Sequence, residues 1–246
     1  LQDWLQAPTG DRLFLMPVRR FQRLLTDLRR AHEGLAIDAL GATITILPHV
    51  YVPSDQSVPA MFTEYASLLK DRCVLDMGTG TGILALLAIQ LGAARVVATD
   101  VNPQAVANAR ANVERLGLGH RVEIREAADL FDAVPGEAFD VILFNAPWIQ
   151  GQPQTLYDVG LYDPGYYVLD GFLAGAQPHL KPDGAILLQY SNVSQRRSGE
   201  GMQHLFDTLA LHGWVVASRR RLSRLSRVLG SRETVYLFEL RQAAEG

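Results

Sequence analysis

The sequence predicts an α/β fold, a mostly parallel sheet with helices on both faces. Three observations carry this. From residue 72 to residue 190, short runs rich in Val, Ile and Leu alternate with segments of helical periodicity, the pattern of successive strand–helix–strand units. The first run passes through Asp76 into Gly78-Thr79-Gly80-Thr81-Gly82 and at once into an apolar helix, a glycine-rich strand-to-helix turn. Acids stand at three successive strand ends, Asp76, Asp100 and Asp129, where sheets of this kind bind their ligands.

Each element follows from local pattern. Residues 17–33 place Val18, Phe21, Leu25 and Leu28 on one helical face and Arg19, Arg20, Arg23, Arg29 and Arg30 elsewhere, which predicts an amphipathic helix with a solvated basic face. Between Leu35 and Val52 the alternation Ala42-Thr43-Ile44-Thr45-Ile46-Leu47, interrupted by Gly41 and Pro48, predicts a hairpin or two short strands. Ser54–Pro59 reads as loop and Ala60–Leu69 as a short helix. Residues 1–53 thus form an N-terminal helix and β-hairpin extension, and residues 54–246 the main α/β domain.

In that domain strands are expected at 72–76, 95–100, 122–126, 139–144 and 184–190, with closing strands near 214–222 and 233–240. Helices are expected at 83–91, 103–116, near 168–180 and at 201–212. Pro103 stands at a helix start, where its missing N–H costs nothing, and Gly117 and Gly119 follow as stop signals. Lys181-Pro182-Asp183-Gly184 predicts a turn before the buried strand that begins at Ala185.

Composition narrows the function classes. The 246 residues suffice for one α/β domain and a small extension. No apolar run approaches the ~20 residues that span a membrane. The start, Leu1-Gln2-Asp3-Trp4, has neither the pattern of a signal peptide nor an initiator methionine, so a trimmed chain is expected. The single cysteine, Cys73, heads the first strand and reads as a small buried hydrophobe; a reducing, cytoplasmic setting is expected. A net charge of -3 speaks against bulk polyanion binding and leaves only local basic patches for nucleic acid. The six histidines are scattered, and no metal site is expected. Nothing in the sequence states an oligomeric form.

The glycine loop departs from the dinucleotide fingerprint, because its third glycine comes one residue early and an acid precedes the first. Val74–Ile83 resembles motif I of the class I S-adenosylmethionine (SAM) methyltransferases, whose ligand has no phosphate but carries an ammonium and a ribose. That resemblance implies SAM as cofactor, bound by Asp76, Gly78, Thr79, Gly80 and Gly82. It also implies a Rossmann-like, seven-stranded methyltransferase sheet with its last strand antiparallel. Asp100, eighteen residues beyond Gly82, falls near the spacing at which an acid accepts hydrogen bonds from ribose hydroxyls, and Val101 stands ready for the adenine face. Asp129 is placed to accept from the adenine amine, with Leu130 beside the ring. Each acid also reads as a helix cap or turn residue; their succession along one sheet favours a site.

Asp129-Leu130-Phe131-Asp132 is followed by the strand Phe139–Phe144 and then by Asn145-Ala146-Pro147-Trp148-Ile149. This run resembles the HemK-type branch of SAM methyltransferases, which methylate the side-chain amide of glutamine in proteins and carry Asp-Leu-Phe, a strand and Asn-Pro-Pro-Tyr-Ile. The resemblance covers roughly residues 40–192. The signature also marks adenine and guanine amino methyltransferases, so it implies a nitrogen acceptor of planar or amide-like kind, in a small molecule or a protein. An amide nitrogen is a poor nucleophile because its lone pair is delocalised, and acceptors on its N–H groups draw it toward pyramidal geometry. The resemblance assigns this to Asn145 Oδ1, which also borders the cofactor, and to the Ala146 carbonyl. Pro147 would stiffen the turn and Trp148 would offer a face to a planar acceptor.

Ala146 replaces the first proline of the pattern and Trp148 the tyrosine, giving a looser turn and a larger face. The N-terminal segment is shorter than the helical domain of the release-factor-binding members. The resemblance further places the Ser54–Phe62 stretch at the mouth of the SAM site, with residues 17–33 nearby. The loop Gln150–Tyr167, with Tyr157, Tyr162, Tyr166 and Tyr167, reads equally as a cover over substrate or as packing. The basic run Arg219-Arg220-Arg221, Arg224, Arg227 and Arg232 reads as a solvated hairpin before an anion-binding surface. A second enzymatic reading keeps the SAM pocket but lets another part of SAM react, as in intramolecular cyclisation of its aminobutyrate arm. A third is a catalytically silent interaction module.

Overall fold

The computed structural model describes residues 33–52, 57–193, 199–225 and 232–243. Residues 17–32 of the expected amphipathic helix lie outside them. Two short strands, β1 (Leu35–Ile37) and β2 (Ala42–Ile44), pair antiparallel around a 3₁₀ turn that ends on Gly41 in the left-handed region. Helices α1 (Ser57–Thr63) and α2 (Ala66–Leu69) follow. The alternation then runs β3 (Cys73–Met77), α3 (Ile83–Gln90), β4 (Arg95–Asp100), α4 (Pro103–Arg115), β5 (Val122–Glu126) and β6 (Phe139–Asn145). It closes with α5 (Leu156–Val159), α6 (Tyr167–Gly175), β7 (Leu180–Ser191), α7 (Gly201–Leu211), β8 (Trp214–Leu225) and β9 (Arg232–Gln242).

The seven strands from β3 onward form one sheet in the order β5-β4-β3-β6-β7-β9-β8. Strands β3 to β7 are parallel, and β9 runs antiparallel to both of its neighbours. From β3 the chain builds outward to β4 and β5 on one side, then returns to lay β6 on the other. The carboxyl ends of β3 and β6 therefore flank the point where strand order reverses, which is where an open α/β sheet leaves a crevice.

The sheet is apolar on both faces, and each face has its own core. Val74, Val96, Val141, Leu143 and Leu187 pack with α3 on one side; Leu75, Val97, Ile142, Ile186 and Leu188 pack with Leu169, Phe172 and Leu205 on the other. Such strands read as continuous apolar runs because both faces are covered. Helix α3 is buried along seven of its eight residues, since the hairpin covers the side turned away from the sheet. Ile37, Ile44 and Ile46 belong to the same cluster as α3, so the hairpin shares the main core.

A polar seam holds the segment after the hairpin. Asn108 and Asn112, one turn apart on α4 and fully buried, accept the N–H groups of Leu47 and Thr45 at 2.8 Å. Both also donate to the Thr45 carbonyl, at 2.8 and 2.9 Å. Two side-chain amides thus satisfy an extended backbone that has no partner strand there.

Two local expectations are corrected. In place of a loop to Pro59 and one helix over 60–69, α1 starts at Ser57 and the chain breaks before α2. Pro59 sits in the first helical turn, where no intrahelical partner waits for its missing N–H. The Lys181–Gly184 segment is part of β7 and not a separate turn. The register with β6 slips there, from Phe139↔Leu180 to Val141↔Ala185, and Asp183 takes a φ of 62°. A donor-less proline and a left-handed residue make an irregularity inside a strand that pairing carries through. Among the described residues no helix is long and apolar enough to cross a membrane, and no group of three His, Cys, Asp or Glu is arranged to hold a metal.

Candidate functional site

A cavity of about 310 Å³ opens at the carboxyl ends of β3, β4 and β6. Its floor is the glycine loop. Gly78, Gly80 and Gly82 have φ of 64°, 58° and 86°, a region that costs any residue with a Cβ. A Cβ on Gly80 would stand 3.3 Å from the Tyr51 carbonyl oxygen, and one on Gly82 3.4 Å from Ala109 of α4. Gly78 and Gly80 line the cavity.

Asp76, Thr79 and Gly82, expected to touch the cofactor, do not line the cavity; they shape the loop from behind. Asp76 is fully buried, and its Oδ2 accepts from Thr79 Oγ1 at 2.6 Å and from the Ala85 N–H at 3.0 Å. These bonds tie the strand end to the loop and to the first turn of α3. Its Oδ1 has no partner. Burial, which the two hydrogen bonds offset only in part, pushes the Asp76 carboxyl up from 3.8 to about 7.

The native state therefore holds a proton that the unfolded chain releases. Its stabilising effect is complete below about pH 4 and is lost as pH rises toward about 7, a span worth on the order of 4 kcal/mol. Asp76→Asn is expected to remove this fall. Unfolding free energies of the two proteins, compared across that range, check it; parallel slopes would mean that Asp76 is ionised when folded.

Asp100 bridges the loop and the next helix. Its Oδ2 accepts the Gly80 N–H at 2.8 Å and its Oδ1 the Asn102 N–H at 2.9 Å, while burial raises its pKa. Each oxygen keeps a further lone pair for hydroxyl donors. Asn102, absent from the sequence-based set, caps α4 by accepting the Gln104 N–H at 2.9 Å. Its Nδ2 donates to the carbonyls of His49 at 3.0 Å and Leu156 at 3.4 Å, tying the end of β4 to the segment just before Tyr51 and to the α5 side of the cavity. The Asn102-Pro103 pair was a legible cap signal; its reach to residues 49 and 156 was not.

Val101 is exposed at the cavity. Asp129 is also in the lining, and its Oδ2 accepts the Tyr167 hydroxyl at 2.5 Å. Leu130, also in the lining, has a φ of 25°, and a Cβ on Gly171 would stand 2.7 Å from its Cδ1. Gly171 is what lets α6 pass this leucine.

At the end of β6, Asn145 lines the cavity, and its Oδ1 is buried with no hydrogen-bond partner. Ala146 is buried and Pro147 lines the cavity. Trp148 departs from expectation: it is 6 % exposed, packs in the core on the α6 side of the sheet, and does not line the cavity. The cause is the chain beyond it. The Ile149 N–H donates to Leu161 O at 3.0 Å and the Asp163 N–H to Ile149 O at 2.8 Å, so the backbone just after the indole is pinned to the far end of the following loop. Aromatic surface at the cavity comes instead from Tyr51, Phe144, Tyr162 and Tyr167.

The loop after β6 is thus a wall of the cavity, stiffened by α5 with its Thr155–Asp158 capping box. Of the Ser54–Phe62 stretch, expected at the mouth, residues 54–56 lie outside the described residues, and Val58, Met61 and Phe62 are buried and do not line the cavity. In the basic run, Arg220 pairs with Glu64 at 2.5 Å and the Arg219 guanidinium lies 5.8 Å from the Tyr236 ring centroid; neither lines the cavity. The Arg224 side chain and Arg227 lie outside the described residues.

Residues 61–181 match the family model for ribosomal protein L11 methyltransferase (PrmA). A release factor glutamine methyltransferase of Cereibacter sphaeroides is 39% identical over 141 residues, 52% of this chain and 50% of that protein. A putative protein N5-glutamine methyltransferase of Methanocaldococcus jannaschii is 30% identical over 166 residues, 65% of this chain and 81% of that one. A ribosomal protein L11 methyltransferase of Pelobacter propionicus is 37% identical over 161 residues, 64% of this chain and 46% of that one. The chain spans about half the length of the first and third of these relatives. Among solved structures, a ribosomal protein L11 methylase from Lactobacillus delbrueckii subsp. bulgaricus superposes with TM-score 0.58 at 22% identity, over 82% of this chain and 86% of that one. A putative RNA methyltransferase from Pyrococcus horikoshii does so with TM-score 0.60 at 18% identity, over 87% and 98%. These two share the fold.

Proposed function

Since this chain belongs to the class I SAM-dependent methyltransferases, in the branch of the protein N5-glutamine methyltransferases, we propose that it methylates the side-chain amide nitrogen of a glutamine in a protein. The observation that carries this reading is the buried, unpartnered Oδ1 of Asn145 at the cavity. A polar atom removed from water without a partner is costly, and it is retained where a ligand supplies the partner.

The residues fit SAM. Gly78 and Gly80 offer backbone that a Cβ would obstruct, Asp100 offers two oxygens to a ribose diol, and Val101 and Leu130 offer apolar sides to a base. Asp129 offers an acceptor to the adenine amine on the oxygen that Tyr167 does not engage. SAM, when bound, supplies a methyl group on a sulfonium, open to in-line displacement.

The chain then has to position the acceptor and keep out water. Asn145 Oδ1 and the Ala146 carbonyl accept the two N–H groups of the acceptor amide. As positive charge grows on the nitrogen, both bonds strengthen, so the transition state is held more tightly than the ground state. Pro147 restricts the backbone that carries the second acceptor. The Gln150–Tyr167 wall shields the reacting nitrogen from solvent, and its tyrosines take over the packing role expected of Trp148.

Incubation with SAM and glutamine-bearing peptides is expected to yield one S-adenosylhomocysteine per methylated glutamine, with one proton released from the amide nitrogen, read by mass spectrometry of the two products. Methylthioadenosine from SAM alone would instead indicate the cyclisation chemistry, which no observation here favours.

A further inference from the structure

We infer that Gln189 is a second acceptor-reading residue, whose carboxamide donates to the carbonyl oxygen of the same amide that Asn145 holds by its N–H groups. This rests on methyl transfer to an amide as proposed above, and it adds the residue that selects a carboxamide.

Asn145 and Gln189 are register partners on the adjacent parallel strands β6 and β7. Strand alternation turns both side chains to one face of the sheet. Leu143 and Leu187, two residues earlier, belong to the core on the α3 side, whereas Phe144 and Leu188 belong to the other core. Gln189 is 0% exposed, and neither its Nε2 nor its Oε1 has a hydrogen-bond partner. Its strand is otherwise apolar at this depth, with Ala185, Ile186, Leu187 and Leu188 all buried. Leucine would satisfy packing at 189 without leaving a buried amide unpaired at both ends.

The relation between the two amides is the telling point. Neighbouring carboxamides kept for structure alone would turn an N–H of one onto the oxygen of the other. Here Asn145 Oδ1, in the cavity lining, and both polar atoms of Gln189, buried beside the lining at the paired position of the next strand, stay unpaired. A primary amide needs an acceptor for its N–H groups and a donor for its carbonyl. Asn145 supplies the first and Gln189 Nε2 the second. A carboxylate would bring a second anionic oxygen against Asn145 Oδ1, and an amine would leave the Gln189 N–H groups unmatched. Both mismatches strand buried polar groups, the kind of discrimination that apolar contacts cannot give.

The test uses the purified chain saturated with S-adenosylhomocysteine, with propionamide as the probe and propionate and propylamine as its mismatched counterparts, each titrated by saturation-transfer NMR. The wild type is expected to bind propionamide at least tenfold more tightly than either counterpart. Gln189→Leu and Gln189→Met should each lose that preference and keep their S-adenosylhomocysteine affinity. Without ligand both should unfold at a higher temperature than the wild type, because a buried unpaired amide has been removed. Undiminished propionamide preference in the variants, or a lower unfolding temperature in both, would make Gln189 structural and overturn the inference. A wild type that binds S-adenosylhomocysteine but does not distinguish propionamide from propionate overturns it as well. A wild type that binds no S-adenosylhomocysteine strikes the methyltransferase reading itself.

Discussion

Asn145→Ala is expected to bind SAM as the wild type does and to lose about a hundredfold in kcat, on the order of 3 kcal/mol of transition-state stabilisation. The Oδ1 atom has no protein partner, so its removal strands no donor inside the fold, and stability should hold. Asp100, which carries the SAM assignment with the glycine loop, accepts the Gly80 and Asn102 N–H groups, and Asn145 Oδ1 shares in neither bond. The loss should fall on kcat more than on KM, because the hydrogen bond gains strength as the acceptor nitrogen becomes cationic. Calorimetry with SAM and steady-state rates on a glutamine-bearing peptide separate the two. Normal turnover would make the Asn-Ala-Pro-Trp segment a structural turn and move the acceptor site to the tyrosine-bearing wall.

The parallel core of the fold was legible because β3, β4, β6 and β7 are buried on both faces, and such strands appear as unbroken apolar runs between helical periods. Sheet order then followed from resemblance. What stayed hidden was decided at long range. Lys181–Gly184 has the composition of a turn, yet Lys181 Nζ lies 2.8 Å from Asp140 and the strand pairing runs through it. The break before α2 follows no local breaker; there the Tyr65 hydroxyl lies 2.9 Å from Ser218 Oγ on β8.

The site divides in the same way. Glycines at every second position and acids at strand ends are local signals, and the cavity lies among them. The burial of Trp148 is not local, since it depends on the Ile149 backbone pairing with residues 161 and 163. Asn108 and Asn112 look like ordinary polar helix positions until the backbone they hold is known. Gln189 did carry a signal, as an amide directly after the apolar run Ala185–Leu188, but its unpartnered state appears only in three dimensions.

Gly80→Val is expected to abolish measurable SAM binding, and Asp100→Ala to weaken it by about one to two decades, from the loss of a charged acceptor worth on the order of 1.5–3 kcal/mol. At Gly80 two effects join. The φ of 58° is unfavourable for a β-branched residue, and the new side chain would stand where the backbone must meet a ligand, with its Cβ 3.3 Å from the Tyr51 carbonyl. In Asp100→Ala the acceptor proposed for the ribose goes, and the N–H groups of Gly80 and Asn102 lose their partner, so the loop loosens as well. Strain and ligand obstruction are separable, because Gly41 has the same φ of 58°, and among the described residues nothing lies within 4 Å of where its Cβ would stand. Gly41→Val should therefore lower the unfolding temperature and leave SAM affinity unchanged. If Gly80→Val also bound SAM with wild-type affinity in calorimetric titration, the glycine loop would not be the cofactor cradle, however closely its sequence matches one.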